Sequence, residues 1–267
     1  MTGAQGRLVL NEFDEATGVG HIRFNRPDVL NALDVPLARA FANAVADMTG
    51  RDGLRCVVLS AAGRGFVAGG DVSRFAADLD AAHRVVAELL DALNPAVLAL
   101  RACAAPVVAA VRGVAAGAGL SIVLGADLVV AGEDARFVMA YDKVGATPDC
   151  GGSWFMAHKL GRTRAMELML LGDPVDAATA RDIGLINEVL PTDQVEPRAL
   201  ALAARIASGP TLAYGRFRSL LDGANHVDLA AQLAAEREAF LAATGTSDFR
   251  EGVAAFRNRR SPTFRGR

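Results

Sequence analysis

Apolar and polar positions change their period along the chain, and these changes predict where strands and helices lie. Arg7 to Asn11 and Val19 to Phe24 are short apolar or β-branched runs around the turn-forming stretch Asp14 to Gly18, so they predict a hairpin. From Asp34, a predicted N-cap, apolar residues recur at helical spacing to about Met48. A hairpin followed by an amphipathic helix is therefore expected at the start of the fold.

Short apolar runs later in the chain have the length and composition of strands. Cys56 to Ser60 and Val107 to Val111 each precede a glycine-containing segment and a helical pattern, as buried parallel strands do. Asp127 to Ala131 and Ile186 to Val189 are two further predicted strands. Alternation of strands and helices is typical of an α/β fold.

Beyond Pro197 the pattern changes to helices only. Four helical segments separated by glycine are predicted: Ala199 to Ser208, Thr211 to Leu221, Val227 to Ala243 and Ser247 to Asn258. We therefore expect an α/β core over residues 1–198 and a helical C-terminal region over residues 199–267.

Composition and charge narrow the class of protein. The 267 residues are 52% hydrophobic, enough for a sizeable core, and the 28 basic and 30 acidic side chains give a net charge of −2, without the basic excess of a nucleic-acid-binding protein. The uncharged window Gly113 to Ala126 is too short to span a bilayer, and Met1 to Ala4 do not begin a secretory signal. We expect a cytoplasmic protein that binds neither nucleic acid nor membranes.

Several standard motifs are absent from the sequence. Neither Lys143 nor Lys159, the two lysines, follows a glycine, which excludes a P-loop. Gly117 and Gly119 begin like a dinucleotide-binding fingerprint, but Ile122 stands at the third glycine position. The cysteines and histidines are too widely spaced for a metal-ligand motif, so no metal site is expected.

Two glycine-rich segments, Gly65 to Asp71 and Gly113 to Gly119, each follow a predicted buried strand. If each segment leads into a helix, its free N–H groups suit an oxygen that carries negative charge, and both segments converge on one oxyanion. The alternative is that the glycines only permit tight turns and close packing. Composition alone leaves both interpretations open.

Four ordered motifs resemble those of the enoyl-CoA hydratase/isomerase (crotonase) superfamily: Asn25 to Leu33, Phe66 to Asp71, Gly113 to Gly119 and Phe249 to Phe264. The resemblance covers most of the chain. It implies a spiral of repeated β-β-α turns, a helical C-terminal region that joins subunits in a homotrimer or hexamer, and a site for acyl-CoA thioesters. Coenzyme A is then part of the substrate, and no separate cofactor is expected.

The resemblance also implies roles for individual residues. The backbone N–H groups of Gly70 and Ala118 are the expected oxyanion donors, and Ala68 is expected to contact the CoA adenine through its backbone. Ala118 stands where the family often has glycine, which requires a negative φ. Three further residues are expected at the CoA site: Val29, Leu30 and Asp71. From the residues alone, Asp71 is instead a predicted helix cap.

Hydratases of this family use two glutamates to add water across a double bond, and this chain has neither. The first glutamate position falls on Ser121, and the second falls on or beside Tyr141. A hydroxyl or a phenol does not act as a general base near neutral pH without strong activation. Hydration by the usual pair of carboxylates is therefore not expected.

One carboxylate, Asp149, lies within a segment, Gly145 to Phe155, that resembles the isomerase branch of the superfamily. The likeness is closest to the ring-isomerising enzymes of phenylacetyl-CoA degradation, in which an acid at this place shuttles a proton. One base is enough to take a proton from the α-carbon and return it at the γ-carbon. The alternative is that Asp149 is a turn residue or caps the following helix.

Three functions follow from these residues. The favoured one is an acyl-CoA double-bond isomerase in which Asp149 is the general acid and base. A hydratase that uses Asp149 or Tyr141 in an unusual way, and a non-catalytic scaffold that binds acyl-CoA, are the alternatives. Residues 72–100 are expected to form the wall of the acyl pocket, with four side chains singled out: Phe75, Leu79, His83 and Val86.

Overall fold

The computed structural model describes residues 6–76 and 79–267, with the side chains of Phe75 and Ala76 left out. The predictions for Met1 to Ala4 and for the Phe75 side chain fall outside the described residues. The strands are β1 (Val9–Asp14), β2 (Val19–Phe24), β3 (Cys56–Ala61), β4 (Val107–Val111), β5 (Val114–Ala116), β6 (Leu128–Gly132), β7 (Arg136–Val138), β8 (Val175–Asp176) and β9 (Glu188–Leu190).

The helices surround these strands and continue beyond them to the C-terminus. They are α1 (Val35–Thr49), α2 (Val72–Ala76), α3 (Ala82–Ala102), α4 (Ala118–Leu124), α5 (Gly152–Leu171, kinked at Gly161), α6 (Ala177–Asp182), α7 (Val195–Ala207), α8 (Thr211–Ala224), α9 (Leu229–Thr244) and α10 (Ser247–Arg257). Short 3₁₀ turns lie at Pro27–Val29, Asp142–Val144 and Thr192–Gln194. In the described part of the chain, no helix is both long and apolar enough to cross a membrane.

Two sheets organise the core. The larger has the strand order β1-β2-β3-β4-β6-β9, in which β1 and β2 are antiparallel and the other neighbours are parallel. The smaller has the order β5-β7-β8. The predicted α/β class is confirmed, as are the hairpin, the first helix and the helical C-terminal region. The smaller sheet was not predicted.

Burial on both faces explains why the central strands are continuous apolar runs. Val57 and Leu59 of β3 face a core that includes buried residues of α1, whereas Cys56 and Val58 face a second core formed with α7. Because successive side chains of a strand point to opposite faces, a strand covered on both sides has no polar positions to alternate with.

Helix α7 belongs to this core. Val195, Ala199 and Leu202 pack with the larger sheet. The predicted division between residues 198 and 199 thus falls inside a helix that is part of the sheet packing. By contrast, neither hydrophobic core of the described residues includes a residue of α8, α9 or α10, and α9 has no buried residue.

A histidine on β2 makes the stability of this core depend on pH. His21 Nε2 and Ser60 Oγ on the neighbouring strand are hydrogen-bonded at 2.7 Å. Burial, assisted by the nearby charge of Arg23, lowers the pKa of His21 from 6.5 to about 4. The folded protein therefore resists protonation of an imidazole that the unfolded chain protonates near pH 6.5.

Replacing His21 with Gln is expected to flatten the acid limb of the stability curve. In the parent protein, the contribution of His21 is fully present above pH 6.5 and is lost as the pH falls towards 4, a difference on the order of 3 kcal/mol. Urea unfolding between pH 7 and 4 measures it. His83→Gln, at an exposed position, is the control; equal pH slopes in both variants would contradict the assignment.

Candidate active site

A cavity of about 730 Å³ lies where the loops after β3 and β5 meet the segment before α5. Its described lining is mostly apolar. The lining comprises Leu33, Ala68, Gly69, Gly70, Val72, Val86, Leu89, Leu90, Leu93, Asn94, Gly117, Ala118, Ala140, Tyr141, Val144 to Gly151. The cavity brings together both predicted backbone donors and Asp149, although these come from three distant parts of the sequence.

The two glycine-rich segments pack directly on each other. Val67 pairs with Ala115 in a parallel bridge, and the Ala116 N–H donates to the Val67 carbonyl at 2.9 Å. A Cβ at Gly119 would lie 2.1 Å from that carbonyl oxygen. Close packing therefore accounts for Gly119, as the alternative interpretation of the glycines expected, and it also sets the two segments side by side.

The backbone N–H of Gly70 points away from the segment to which its neighbours are hydrogen-bonded. The Leu33 N–H donates to the Gly69 carbonyl at 2.7 Å, and the Asp71 N–H donates to the Leu33 carbonyl at 2.9 Å. In such a parallel bridge, the residue between the two bonds turns its own N–H away from the partner strand. No acceptor for it lies among the described residues, so Gly70 offers a free donor at the cavity.

Ala118 has the backbone conformation expected of a residue with a Cβ at this position. It is the first residue of α4, where an N–H has no partner within the helix. Gly117 takes the positive φ of 51°, and Ala118 keeps a negative φ. The Cβ of Ala118 is therefore accommodated without strain, while its N–H stays available at the start of the helix.

Asp149 lines the cavity and does not cap a helix. The Tyr141 hydroxyl donates to Asp149 Oδ1 at 2.7 Å. Helix α5 begins at Gly152 with Gly151 as N-cap and no capping side chain. The helix-cap interpretation of Asp149 is therefore wrong. Its backbone does form a turn, since the Gly152 N–H donates to the Asp149 carbonyl at 2.8 Å, while its half-buried carboxylate is turned towards Tyr141.

Ser121 and Tyr141, the residues at the two glutamate positions of the hydratases, lie in contact with each other. Ser121 Oγ is 3.1 Å from the Tyr141 hydroxyl, and both residues are buried. Burial, together with the negative charge of Asp149, raises the pKa of Tyr141 well above its usual range. Tyr141 is thus a hydrogen-bond donor at neutral pH and not a base.

An arginine that sequence reasoning missed holds the loop beside Gly70. Arg26 Nη1 lies 3.0 Å from Asp71 Oδ2, and Arg26 Nη2 lies 3.2 Å from Asp34 Oδ2. Burial alone would raise the pKa of Asp71, but hydrogen bonds from Ser73 and Arg26 outweigh it and the pKa lies below its ordinary value. Arg26 lies in the Asn25 to Leu33 motif, but its partner Asp71 is 45 residues further along the chain. A local sequence pattern does not indicate a contact between residues so far apart.

The other residues predicted at the CoA site occupy different environments. Ala68 lines the cavity, but its N–H donates to the Leu30 carbonyl at 3.1 Å, so a backbone contact from Ala68 to a ligand uses its carbonyl. Val29 is 43% exposed. Neither Val29, Leu30 nor Asp71 is among the described residues of the lining. Their predicted contacts with CoA stay predictions.

Helix α3 supplies the apolar wall. Val86 lines the cavity as expected, together with Leu89, Leu90 and Leu93 one and two turns further along. Leu79 and His83 are exposed and are not part of the described lining. Within residues 6–76 and 79–267, no group of three His, Cys, Asp or Glu side chains is arranged to hold a metal ion.

Comparison with known proteins identifies the family. The model of the family described as enoyl-CoA hydratase/isomerase matches residues 14–267. The chain belongs to the enoyl-CoA hydratase/isomerase family. The predicted family and the crotonase fold are thereby confirmed.

Relatives within this family carry names of different reactions. The 1,2-epoxyphenylacetyl-CoA isomerase of Escherichia coli K12 is 38% identical over 94% of this chain and 96% of its own length. The 2,3-dehydroadipyl-CoA hydratase of the same organism is 33% identical over 92% and 94%. A crystal structure of an enoyl-CoA hydratase from Polaromonas sp. JS666 superposes with a TM-score of 0.89 at 33% identity, covering 96% of this chain and 99% of the other. The resemblance to the phenylacetyl-CoA isomerase branch is confirmed.

Substituting Gly119 with Ala in this enoyl-CoA hydratase/isomerase family member is expected to destabilise it. The new Cβ would meet the Val67 carbonyl at 2.1 Å, and overpacking of this kind costs roughly 1–3 kcal/mol. Urea unfolding measures the loss. Gly223→Ala is the matched control, because a Cβ there meets nothing within 4 Å in α8, and about 0.5–1 kcal/mol of stabilisation is expected. An unchanged Gly119→Ala midpoint would contradict the packing.

Proposed function

We propose that the protein is an acyl-CoA double-bond isomerase in which Asp149 carries a proton between the α- and γ-carbons of an enoyl thioester. The main support is the composition of the cavity lining. Asp149 is the one acidic side chain among its described residues, and the lining also includes Gly70 and Ala118. A single carboxylate near two unpaired backbone donors matches the needs of a proton shift beside a thioester carbonyl.

In the first step, Asp149 removes a proton from the α-carbon of a 3-enoyl thioester. The electron pair of the broken C–H bond forms a double bond to the carbonyl carbon, and the carbonyl oxygen becomes the oxyanion of a dienolate. The N–H groups of Gly70 and Ala118 stabilise that oxygen, and such a donor is worth roughly 3–4 kcal/mol of barrier when its position is fixed beforehand.

In the second step, the protonated Asp149 returns the proton at the γ-carbon. The oxyanion electrons re-form the carbonyl, and the carbon–carbon double bond moves to the 2,3-position, in conjugation with the thioester. No water is consumed, and Asp149 ends as the carboxylate that began the cycle. Coenzyme A enters only as the thioester group of the substrate, and no separate cofactor takes part.

Hydration is the second candidate, because some relatives carry hydratase names. Adding water needs a base that activates water besides the group that handles the α-proton. Ser121 and Tyr141 stand at the two glutamate positions, and the raised pKa of Tyr141 keeps it protonated. The chemistry of these side chains therefore favours the isomerase.

Asp149→Asn is expected to lower the rate of conversion of 3-enoyl-CoA to 2-enoyl-CoA by at least about 10²-fold, because the amide does not accept the proton. Absorbance of the conjugated thioester follows the reaction, and calorimetry with the same ester tests that binding is retained. Asp142→Asn, which removes a carboxylate that does not line the cavity, is the matched control.

Three results would contradict the isomerase. Unchanged turnover of Asp149→Asn removes Asp149 from the mechanism. Hydration of crotonyl-CoA faster than any 3-enoyl isomerisation favours the hydratase instead. If CoA esters bind but no α-proton exchanges with deuterated solvent, the protein is a non-catalytic acyl-CoA-binding scaffold.

We further propose that α8 to α10 join copies of the chain into a homotrimer or a hexamer of two trimers. Large apolar side chains are exposed on all three helices: Phe217 on α8 is 61% exposed, Phe240 on α9 is 66% exposed and Phe256 on α10 is 88% exposed. Exposed apolar surfaces of this kind are typical of protein–protein contacts. The assembly predicted for residues 199–267 therefore has a surface suited to it.

Light scattering after size exclusion tests this assembly. The parent chain is expected at three or six times 27.8 kDa, and Phe256→Glu is expected to shift the population towards smaller species because it places a charge in the contact. Phe256→Leu keeps the surface apolar and serves as the control. A monomeric parent protein at micromolar concentration would contradict the proposal.

A further inference from the structure

Tyr141 is fixed by hydrogen bonds on every side of its hydroxyl. The phenol has one hydrogen, and it goes to Asp149 Oδ1 at 2.7 Å. The Asp149 N–H points back at the same oxygen from 3.3 Å. Because the one phenolic hydrogen is already used, Ser121 must be the donor in the 3.1 Å contact with Tyr141. The hydrogen bonds therefore run in one direction, from Ser121 to Tyr141 to Asp149.

We propose that Tyr141 is a positioning residue that occupies one oxygen of Asp149 and reserves the other, Oδ2, for the travelling proton. This role rests on the proposed isomerase function. An aspartate carboxylate that rotates about its last bond presents either oxygen to the substrate, and only one orientation reaches both carbons. The bond from Tyr141 selects that orientation before the substrate arrives.

The same bond serves both halves of the reaction. As a carboxylate, Asp149 accepts the Tyr141 hydrogen on Oδ1. The buried Cys150 thiol also donates to this side chain, and because each carboxylate oxygen has two lone pairs, Oδ2 can still take a proton. Once Oδ2 has taken the α-proton, Oδ1 is the carbonyl oxygen of a carboxylic acid and still accepts from Tyr141. No hydrogen bond has to break or turn between removal of the proton at the α-carbon and its delivery at the γ-carbon.

The backbone around this pair is strained, and the strain is localised at its two ends. Ala140, just before Tyr141, has a φ of 60°, and Cys150, just after Asp149, has a φ of 49°. Non-glycine residues seldom adopt such values, which cost on the order of 1–3 kcal/mol each and persist where the surroundings enforce them. The unfavourable backbone conformations of Ala140 and Cys150 thus lie next to Tyr141 and Asp149, whose side chains are hydrogen-bonded to each other.

Gly152 leaves room for Ser121, and Gly117 lies beside Tyr141. A Cβ at Gly152 would lie 2.3 Å from Ser121 Oγ, whereas a Cβ at Gly117 would lie at an ordinary contact distance of 3.9 Å from the Tyr141 ring. Gly117 immediately precedes the predicted oxyanion donor Ala118. The positioning chain is therefore built against the same segment that holds the oxyanion, which fixes the distance between base and carbonyl.

The test compares two readouts from one substrate in deuterated water. With trans-3-hexenoyl-CoA, conjugated product measures the complete shift, and deuterium at the α-carbon of recovered substrate measures proton removal alone. Tyr141→Phe is expected to lower the complete shift by about 10- to 100-fold while α-exchange falls much less, because delivery at the second carbon depends most on orientation. A purely structural defect lowers both by the same factor.

Three variants make the result decisive. Tyr214→Phe, at the other tyrosine of the chain and outside the described cavity lining, is expected to leave both rates unchanged. Ser121→Ala removes the donor behind the phenol and is expected to change the ratio in the same direction by a smaller factor. Asp149→Asn is expected to lower both rates by at least about 10²-fold, and unchanged rates would refute the isomerase itself.

The inference about Tyr141 is overturned separately from the function. If Asp149→Asn is inactive but Tyr141→Phe keeps the parent ratio of shift to exchange, Asp149 is the base and Tyr141 does not position it. Thermal unfolding of each variant establishes that it is folded. Should Tyr141→Phe not fold, the ratio in Ser121→Ala decides: a change supports the chain of hydrogen bonds, and no change refutes it.

Discussion

The contact between the two glycine-rich segments determines where the two backbone donors of the proposed site lie. Strands β3 and β4 are neighbours in the parallel sheet, so the segments that follow them emerge side by side. The bridge between Val67 and Ala115 then locks the segments together, and Gly119 allows the Val67 carbonyl to approach α4. Gly70 and Ala118 are consequently brought to one cavity by strand order and by missing side chains, and the ion pair between Arg26 and Asp71 holds the loop beside Gly70.

The parts of the fold that produce a regular pattern of apolar and polar residues could be predicted from the sequence. The run Val107 to Val111 is apolar throughout because both of its faces are covered, and its predicted bounds agree with β4. The smaller sheet could not be predicted, since its strands have two or three residues and depend on distant partners, such as Val114 with Arg136. Such short strands have no period of their own. Likewise, the helical pattern of α7 does not show which part of the protein the helix packs against.

Some features of the candidate site could likewise be predicted from the sequence, and others could not. Asp149 could be found because the segment around it resembles part of a known family. The choice between base and helix cap, however, required knowing that α5 begins at Gly152. The bond from Tyr141 to Asp149 could not be predicted, because it depends on the positive φ of Ala140 and Cys150. Apart from glycine, residue types give little sign of that conformation. The strained backbone of the candidate site thus could not be inferred from the sequence.

The partners of two aspartates near the cavity show how one side-chain type is given two tasks. Asp71 faces Arg26 at 3.0 Å, and this opposite charge favours the ionised form of the carboxylate. That attraction binds the carboxylate to its loop and opposes protonation. Asp149 faces the neutral phenol of Tyr141, and a neutral hydrogen bond contributes only about 1 kcal/mol. A partner without charge fixes the geometry of a carboxylate without forming an ion pair with it, so Asp71 suits an anchor and Asp149 suits the role proposed for it.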